Sequence, residues 1–492
     1  MSPSTRYAGT LPRIKAVLAH RALFEIGGEL DVRSLVGRPP THPPYVLLAF
    51  GALARISRST VRVETDLQDP DLWGMVRGWM IDTIQREHLD LPLPSTTPPA
   101  WHHWRRLRDD HLTSDEGLAA LARLHLPRAV ALARETGLLR PDGKGSFTHP
   151  DATRAVYGDG TIVRPIYAPP TAIRTTDDDG TTVILYPDPT TGLLLDHPTH
   201  RFDPDIAEHH GHRGSVQGHG YVAWHARGPG TYQRVVLAID HIERPGQEAN
   251  SAVRLLGDVH REAKDGIQVV IYDGAMRGTH IEQIMTRYGY LVIANPPVYQ
   301  DSGPATATIV RGRGGTRVPS LPLGVVSHAT AIGTCEHTLA AVDGAVADID
   351  LDDSGDPVIR QLLPRGAVKR ARRRDGRHHF NLGYRIDCAN GPFEVWLSPH
   401  PQREDDPRPE HLRALPPDDA DTLRLRGLRS DAESVHSQYK RTLIVDRAMA
   451  LGWRRGLIDY YCYAWYSNAL TEQRLRTATG SGVRRPSGTQ GQ

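Results

Sequence analysis

The strongest constraint on the fold is the order of apolar segments between residues 152 and 297. Three β-type runs come first, AVYGDGTIVRPIY, GYVAWHARG and RVVLAIDHI, with Gly, Pro and polar residues between them. They are followed by the helical stretch ANSAVRLLGDVHREAKDG, the strand IQVVIYDG, the helix THIEQIMTRYG and the strand YLVIAN. This β-β-β-α-β-α-β order predicts an α/β protein, with antiparallel strands first, helix-crossed parallel strands next, and helices on the faces of one mixed sheet.

The 492 residues are too many for one simple core, so we expect several segments of different character. The predicted segments are a helical N-terminal domain (1–145), the first part of the mixed sheet (150–297), a β-rich insertion (298–420), late helices that return to the core (421–470) and a disordered tail (471–492). Near the end of the insertion, residues 406–427 are rich in Pro and Asp and are interpreted as a linker.

Composition limits the classes of partner. The chain has 59 Lys and Arg against 57 Asp and Glu, so no global basic field indicates a polyanion, and any nucleic-acid interface must depend on local patches. Cys335, Cys388 and Cys462 are far apart and form neither a CxxC pattern nor a plausible disulfide framework, which favours a reducing cytoplasm. No stretch reaches about 18 consecutive apolar residues, so no membrane span is expected.

Two acidic residues stand out on the predicted sheet. Asp159 lies between two glycines in the first apolar strand, where a buried carboxylate is costly unless another group pairs with it. Asp273 falls at the C-terminal end of a predicted parallel strand, where ligand sites gather in open α/β sheets. The alternatives are a turn at the strand end for Asp159 and a helix cap for Asp273.

A late helix carries a third acid. In GLRSDAESVHSQYKR, residues 427–441, Arg429, Glu433 and Lys440 are spaced at i, i+4 and i+11, so they project from one helical face. That face is either directed at the sheet or at an anionic partner, or it is a ladder of surface ion pairs worth a few tenths of a kcal/mol.

Together, these features resemble the DDE transposases of bacterial insertion sequences: an acid on the first strand, an acid after the fourth, and a Glu within Arg-x3-Glu-x6-Lys after a β-rich insertion. The stretch GRPPTHPPYVLLAFGALARISRSTVRVETDLQDPDLW is similar to the helical segment that precedes many such catalytic domains. The resemblance spans about residues 35–470 and implies an RNase H-like catalytic fold. The family pattern has a Tyr three residues before its Arg, whereas this chain has Arg426.

The resemblance implies specific roles. Asp159, Asp273 and Glu433 would be the catalytic metal ligands, and Arg429 and Lys440 would contact DNA phosphate. Two Mg²⁺ ions, for which Mn²⁺ would substitute, suit carboxylate oxygens and would serve DNA strand cleavage followed by 3′-OH strand transfer of a mobile element. Residues 1–145 would bind the element ends, and a homodimer would assemble on paired ends.

A basic run supplies further candidates for DNA contact. The segment RGAVKRARRRDGRHH offers Arg365, Lys369, Arg370, Arg372, Arg373, Arg374 and Arg377. These residues are enough for several phosphate contacts and a steep salt dependence, and a solvated charge run is the alternative.

Other functions remain open from the sequence. A His-rich segment could instead assemble zinc for a hydrolase; its members are His197, His200, His209, His210, His212, His219 and His225, with Asp203, Asp205 and Glu208. A transposase-derived DNA-binding protein without activity, and a host nuclease or resolvase of the same fold, are the further alternatives.

Overall fold

A computed structural model describes residues 9–32, 40–143, 145–167, 172–176, 179–188, 190–211, 214–230, 233–295, 307–310, 317–331, 333–403 and 406–480. The helices in these ranges are α1 (Leu11–Leu18), α2 (Arg21–Glu29), α3 (Pro44–Ser57), α4 (Thr60–Leu67), α5 (Pro70–Arg86), α6 (Trp101–Leu107), α7 (Asp115–Glu135), α8 (Glu248–Ala263), α9 (Gly278–Tyr288), α10 (Arg408–His411), α11 (Ala420–Arg426), α12 (Ser430–Arg441) and α13 (Trp453–Gly480).

The strands are β1 (Ala155–Val163), β2 (Ile173–Thr176), β3 (Thr182–Pro187), β4 (Leu194–Leu195), β5 (Ala207–Gly211), β6 (Gly214–Arg227), β7 (Arg234–Ile242), β8 (Val269–Ile271), β9 (Leu291–Ile293), β10 (Ala307–Val310), β11 (Arg317–Thr330), β12 (Gly333–Val342), β13 (Ala345–Leu351), β14 (Pro357–Leu362), β15 (Arg365–Arg372), β16 (His378–Ile386) and β17 (Phe393–Leu397).

The N-terminal segment is helical, as predicted. Helix α3, PYVLLAFGALARIS, is apolar on almost every side and is buried from Tyr45 to Arg55, because a helix with no polar face must lie inside a core. Arg58 (φ +59°) ends this helix, and the Ser59 side chain accepts a hydrogen bond from the Arg62 N–H to begin α4. Helices α1–α7 share one hydrophobic cluster with α12, α13 and one face of the central sheet.

The central sheet has the predicted mixed character. Strand β6 pairs antiparallel with both β1 and β7, whereas β8 pairs parallel with both β1 and β9. The resulting order is β7-β6-β1-β8-β9, and β5 pairs with the beginning of β6. Helix α8 connects β7 to β8, and α9 connects β8 to β9, as expected for parallel neighbours.

Side chains alternate between the two faces of this sheet. Val222 and Trp224 pack into a core with α8 and α9, whereas Tyr221 and Ala223 pack into the core of the N-terminal helices and α13. Helices therefore cover both faces, and polar groups at the end of the sheet are enclosed between them.

The insertion is β-rich, as predicted. Strands β10–β14 close into a small barrel, and β15–β17 form a separate antiparallel sheet. The long polar insert between the first two strands of the central sheet contributes a further small sheet, β2-β3-β4. Both insertions leave the order of the central strands unchanged.

Two predictions for the C-terminal part are wrong. Residues 406–427 are not an open linker, because they contain α10 and α11 and bury Leu412, Leu415 and Leu425 against the core. The predicted disordered tail 471–492 is helical as far as Gly480, because α13 continues through residues that still pack on the helical core, such as Thr471 and Glu472; positions 481–492 lie outside the described residues. Within the described ranges, no helix is long and apolar enough to cross a membrane.

Candidate metal centre

Asp159 lies in the middle of β1, the central strand of the sheet, and only 9% of the residue is exposed. Its two flanking glycines are required by crowding. A Cβ at Gly158 would lie 2.5 Å from the Trp224 ring, and a Cβ at Gly160 would lie 2.2 Å from the Glu248 carboxyl carbon. Glycine therefore occupies both positions because neighbouring side chains approach the strand backbone closely.

Asp273 lies beside Asp159 because of the parallel register. Strand β8 pairs with β1 from Ala155↔Val269 to Tyr157↔Ile271. Continuing that register by two residues brings Asp273 next to Asp159, just beyond the end of β8. Asp273 Oδ1 accepts a hydrogen bond of 2.8 Å from the Ala275 N–H, and it does not cap α9, whose N-cap is Arg277.

Glu248 is a third carboxylate at this point, and sequence reasoning missed it. One oxygen each of Asp159, Glu248 and Asp273 lies within 4.8 Å of the others. Glu248 is the first residue of α8, and the Tyr272 hydroxyl donates a 3.0 Å hydrogen bond to its Oε1. The topology contained a signal: β7 runs parallel to β1 and β8, so the helix that follows β7 begins on the side of the sheet toward which these strands run.

Burial makes two of these acids, Asp159 and Glu248, hard to ionise. The pKa of Asp159 is raised to about 7, chiefly because burial removes its carboxyl group from water, and further because Asp273 and Glu248 are negative neighbours, while Arg429 acts in the opposite direction. The pKa of Glu248 is also raised, first by burial and then by Asp273. A bound cation would relieve this repulsion, and three clustered carboxylates are the hard oxygen donors that Mg²⁺ prefers.

Helix α12 covers the group from the other side, and its predicted acid is more distant. Arg429 precedes α12; its Nη2 lies 4.0 Å from Asp273 Oδ2 and its Nη1 lies 4.0 Å from Glu433 Oε1. The Glu433 side chain is 68% exposed and lies across Arg429 from the three clustered acids. In the described structure, the Arg429 guanidinium therefore lies between Asp273 and Glu433, and it separates Glu433 from the three clustered acids.

His436, one turn after Glu433, attaches α12 to β1. Its Nε2 donates to the Asp159 carbonyl oxygen at 3.1 Å, and its Nδ1 accepts from the Tyr460 hydroxyl at 2.7 Å. Burial lowers the pKa of His436 to about 3, so the ring is neutral and both bonds fit one tautomer. Lys440 lies further along the same face, where burial lowers its pKa and Asp159 acts in the opposite direction.

The basic run divides into structural and exposed residues. The Arg365 side chain is only 3% exposed. It forms a bidentate ion pair with Asp419, in which Nε and Nη2 donate to the two carboxylate oxygens at 2.8 and 3.1 Å. Arg370 donates to the Gly289 carbonyl at 3.0 Å and lies over the Phe147 ring. Apart from Arg365, the basic members of the run are exposed, Arg370 among them: Lys369, Arg370, Arg372, Arg373, Arg374 and Arg377.

Lys369 packs over Trp396 at 3.8 Å, and Arg373 bonds His379 at 2.9 Å. Both retain exposed surface at the β15–β16 hairpin. The candidates for DNA contact in this segment are therefore the exposed residues, of which Arg370 also contacts Gly289 and Phe147, whereas Arg365 holds the insertion against its surroundings.

The His-rich segment does not assemble a ligand group within the described residues. His219 bonds Asp203 at 2.9 Å, with both side chains buried, and Asp203 also accepts from the Gly452 N–H at 2.6 Å. His197 bonds the neighbouring exposed Asp196 at 2.6 Å. His212 lies outside the described ranges. The groups of three or more close metal-ligating side chains in the described structure are the acids above and one other, His328, Cys335 and Cys388.

A strongly basic cleft of about 690 Å³ borders helix α12. Helix α12 separates this cleft from the acids, because Glu433, His436 and Lys440 lie toward β1 whereas Ser434, Gln438 and Arg441 line the cleft. No acidic residue is among the described residues that line it. Its arginines are Arg13, Arg55, Arg58, Arg227, Arg234, Arg441 and Arg474.

Two comparisons with known proteins give no further guide to function. No protein-family model matches the chain, and no curated protein matches it either. The interpretation of the site therefore depends on its geometry.

Proposed function

We propose that this chain is a DDE-type transposase, which cuts DNA at the ends of a mobile element and joins the freed 3′-OH to a target strand. The observation that carries this proposal is the convergence of Asp159, Glu248 and Asp273 beside the middle of β1, where β8 ends. Three clustered buried or half-buried carboxylates, two of which, Asp159 and Glu248, have raised pKa values, are typical of a functional site, not of a stable core.

The sheet order supports an RNase H-like catalytic domain. Three strands pair antiparallel, two more pair parallel through α8 and α9, and β1 lies at the centre. This arrangement places an acid on the first strand and an acid after the fourth at the same edge, which is the organisation that the sequence resemblance implies.

Divalent cations fit the donor set. When bound, two Mg²⁺ or Mn²⁺ ions would activate a water and neutralise charge on the leaving 3′ oxygen. Asp159, Glu248 and Asp273 would hold these ions. Glu433 would join the group if Arg429, which lies between Glu433 and Asp273, turned toward a DNA phosphate.

The surrounding cations would position the DNA. Lys440 lies on the Asp159 side of α12, and the arginine-rich cleft lies on its next face. A strand crossing α12 would therefore contact positive charge on both sides of the scissile phosphate. Since this contact is largely electrostatic, affinity should fall steeply with salt. Two copies would assemble on paired element ends.

The test is cleavage and strand transfer on labelled DNA that carries the sequences flanking the coding region, with Mg²⁺ or Mn²⁺. The variants are Asp159→Asn, Glu248→Gln, Asp273→Asn and Glu433→Gln. We expect wild type to nick the flank and join its 3′ end to a plasmid, and we expect the first three variants to lose at least about a hundredfold in rate while DNA binding remains.

Asp258→Asn is the matched control, because Asp258 is an exposed carboxylate on α8, the helix that begins with Glu248, and it pairs only with Arg261 among the described ion pairs. This variant should cut at the wild-type rate. DNA that is bound but never cut would favour the non-catalytic DNA-binding alternative. Cutting that survives Asp159→Asn would show that the acids are not the active site.

A further inference from the structure

The second group of potential ligands lies in the insertion, at the end of the β11–β12 hairpin. His328 and Cys335 are direct cross-strand partners, two pairs before the hairpin closes at Thr330↔Gly333. Side chains opposite each other on adjacent antiparallel strands project to the same side and lie close together. The hairpin thus presents an imidazole and a thiol side by side.

A second thiol reaches this pair from the other sheet. Cys388 lies in the connection between β16 and β17, where the Gly391 N–H donates to the Cys388 carbonyl at 3.0 Å and Gly391 has φ +97°. Cys388 Sγ lies 3.4 Å from Cys335 Sγ and 3.3 Å from His328 Nδ1. Residues 53 positions apart therefore form one cluster, which cysteine spacing in the sequence does not indicate.

Neighbouring contacts hold the three side chains in place. The His328 ring stacks on Phe393 with ring centroids 4.1 Å apart, which fixes its orientation. The Asn390 side chain donates to the Gly333 carbonyl at 3.3 Å and joins the two hairpin ends. All three ligand residues are partly exposed, so an ion could enter from solvent.

The spacing fits one tetrahedral metal ion. With Zn–S bonds of about 2.3 Å and Zn–N bonds of about 2.0 Å, tetrahedral geometry separates two sulfurs by about 3.8 Å and sulfur from nitrogen by about 3.5 Å. The observed 3.4 and 3.3 Å are slightly shorter, and the two thiols are unbonded. A disulfide would require sulfurs about 2.05 Å apart.

We propose that His328, Cys335 and Cys388 bind a zinc ion. Both cysteines would bind as thiolates, so two protons leave the site as the ion enters, and the neutral His328 ring would bind through Nδ1. The fourth position would be filled by water or by the Asn390 side chain. Because the ligands come from the barrel and from the β15–β17 sheet, the ion would fasten the two parts of the insertion together.

The test is the zinc content of the full-length protein, purified without chelator and measured by elemental mass spectrometry. We expect about one zinc per chain in wild type and less than about a tenth of that in Cys335→Ser, Cys388→Ser and His328→Ala. Cys462→Ser is the matched control, because Cys462 is buried in α13 and is not one of the three ligand residues. This variant should keep the wild-type zinc content.

Replacement of zinc by Co²⁺ provides a second readout. A thiolate-to-cobalt absorption band should appear in wild type and in Asp159→Asn. It should be absent from Cys335→Ser and Cys388→Ser, and circular dichroism spectra like that of wild type would show that these two variants are folded. The result is thus independent of DNA cleavage. A metal-free protein with free thiols, or a Cys335–Cys388 disulfide found by peptide mass spectrometry, would overturn the proposal.

Discussion

Replacing Asp159 by Asn is expected to stabilise the folded protein in the absence of divalent cations, and more strongly at pH 8 than at pH 5. The carboxyl group is held among Asp273 and Glu248 inside the protein, and its pKa is raised to about 7, first by burial and then by these acids. Asn has nearly the same shape and no charge, so it avoids the cost of ionising a buried acid.

The sign follows from proton linkage. Between pH 4 and pH 7, the folded chain keeps a proton on Asp159 that the unfolded chain has lost, so the free energy of unfolding falls as pH rises through this window. The difference between 3.8 and about 7 corresponds to about 4 kcal/mol, at about 1.4 kcal/mol per pKa unit. Part of this cost is already present at pH 5. The increase in the free energy of unfolding of Asp159→Asn over wild type should therefore be about 3 kcal/mol larger at pH 8 than at pH 5.

Hydrogen exchange of the β1 amides, measured by mass spectrometry at both pH values with corrections for intrinsic rates, gives the local free energy directly. Asp258→Asn is the control, since removing this exposed carboxylate should have the same small effect on local stability at both pH values. An Asp159→Asn variant that exchanges like wild type at pH 8, or gains equally at both pH values, would refute the assignment of a buried, protonated acid. Adding Mg²⁺ should stabilise wild type and leave the variant unchanged.

Three further outcomes follow from contacts around the site. Gly160→Ala should fold but bind Mn²⁺ more weakly in calorimetry, because its Cβ would displace the Glu248 carboxyl group; wild-type affinity would contradict this placement. Arg365→Ala should lower the free energy of unfolding by about 3–5 kcal/mol in urea titrations, because it removes the buried guanidinium that pairs with the half-buried Asp419 and Asp421. Arg374→Ala, an exposed change in the same run, should leave stability unchanged and reduce the salt dependence of DNA binding, measured by fluorescence anisotropy.

The order of strands and helices could be predicted because each element carries its own periodicity. Alternation in β6 and β7 and the helical face of α8 are local properties, and the connections then restrict the pairing. Asp159 and Asp273 could also be predicted as neighbours, since residues near corresponding points of adjacent parallel strands meet. The end of α13 could not be predicted, because Thr471 and Glu472 are held by packing on distant helices, not by local sequence.

The ligand groups show where sequence reasoning stops. Glu248 stands in a polar connection with no pattern of its own, and only the start of α8 beside β1 brings it to Asp159. Cys335 and Cys388 belong to two different hairpins, and their approach depends on how the barrel meets the neighbouring sheet. Charge runs are equally ambiguous, because a buried ion pair such as that of Arg365 cannot be distinguished by sequence from an exposed arginine.

The most direct test of the central claim is the position of Mn²⁺ in crystals of the full chain grown with that ion, read from anomalous scattering. We expect Mn²⁺ within about 2.0–2.5 Å of carboxylate oxygens of Asp159, Glu248 and Asp273. Ions that bind elsewhere while these three carboxylates stay unliganded would contradict it.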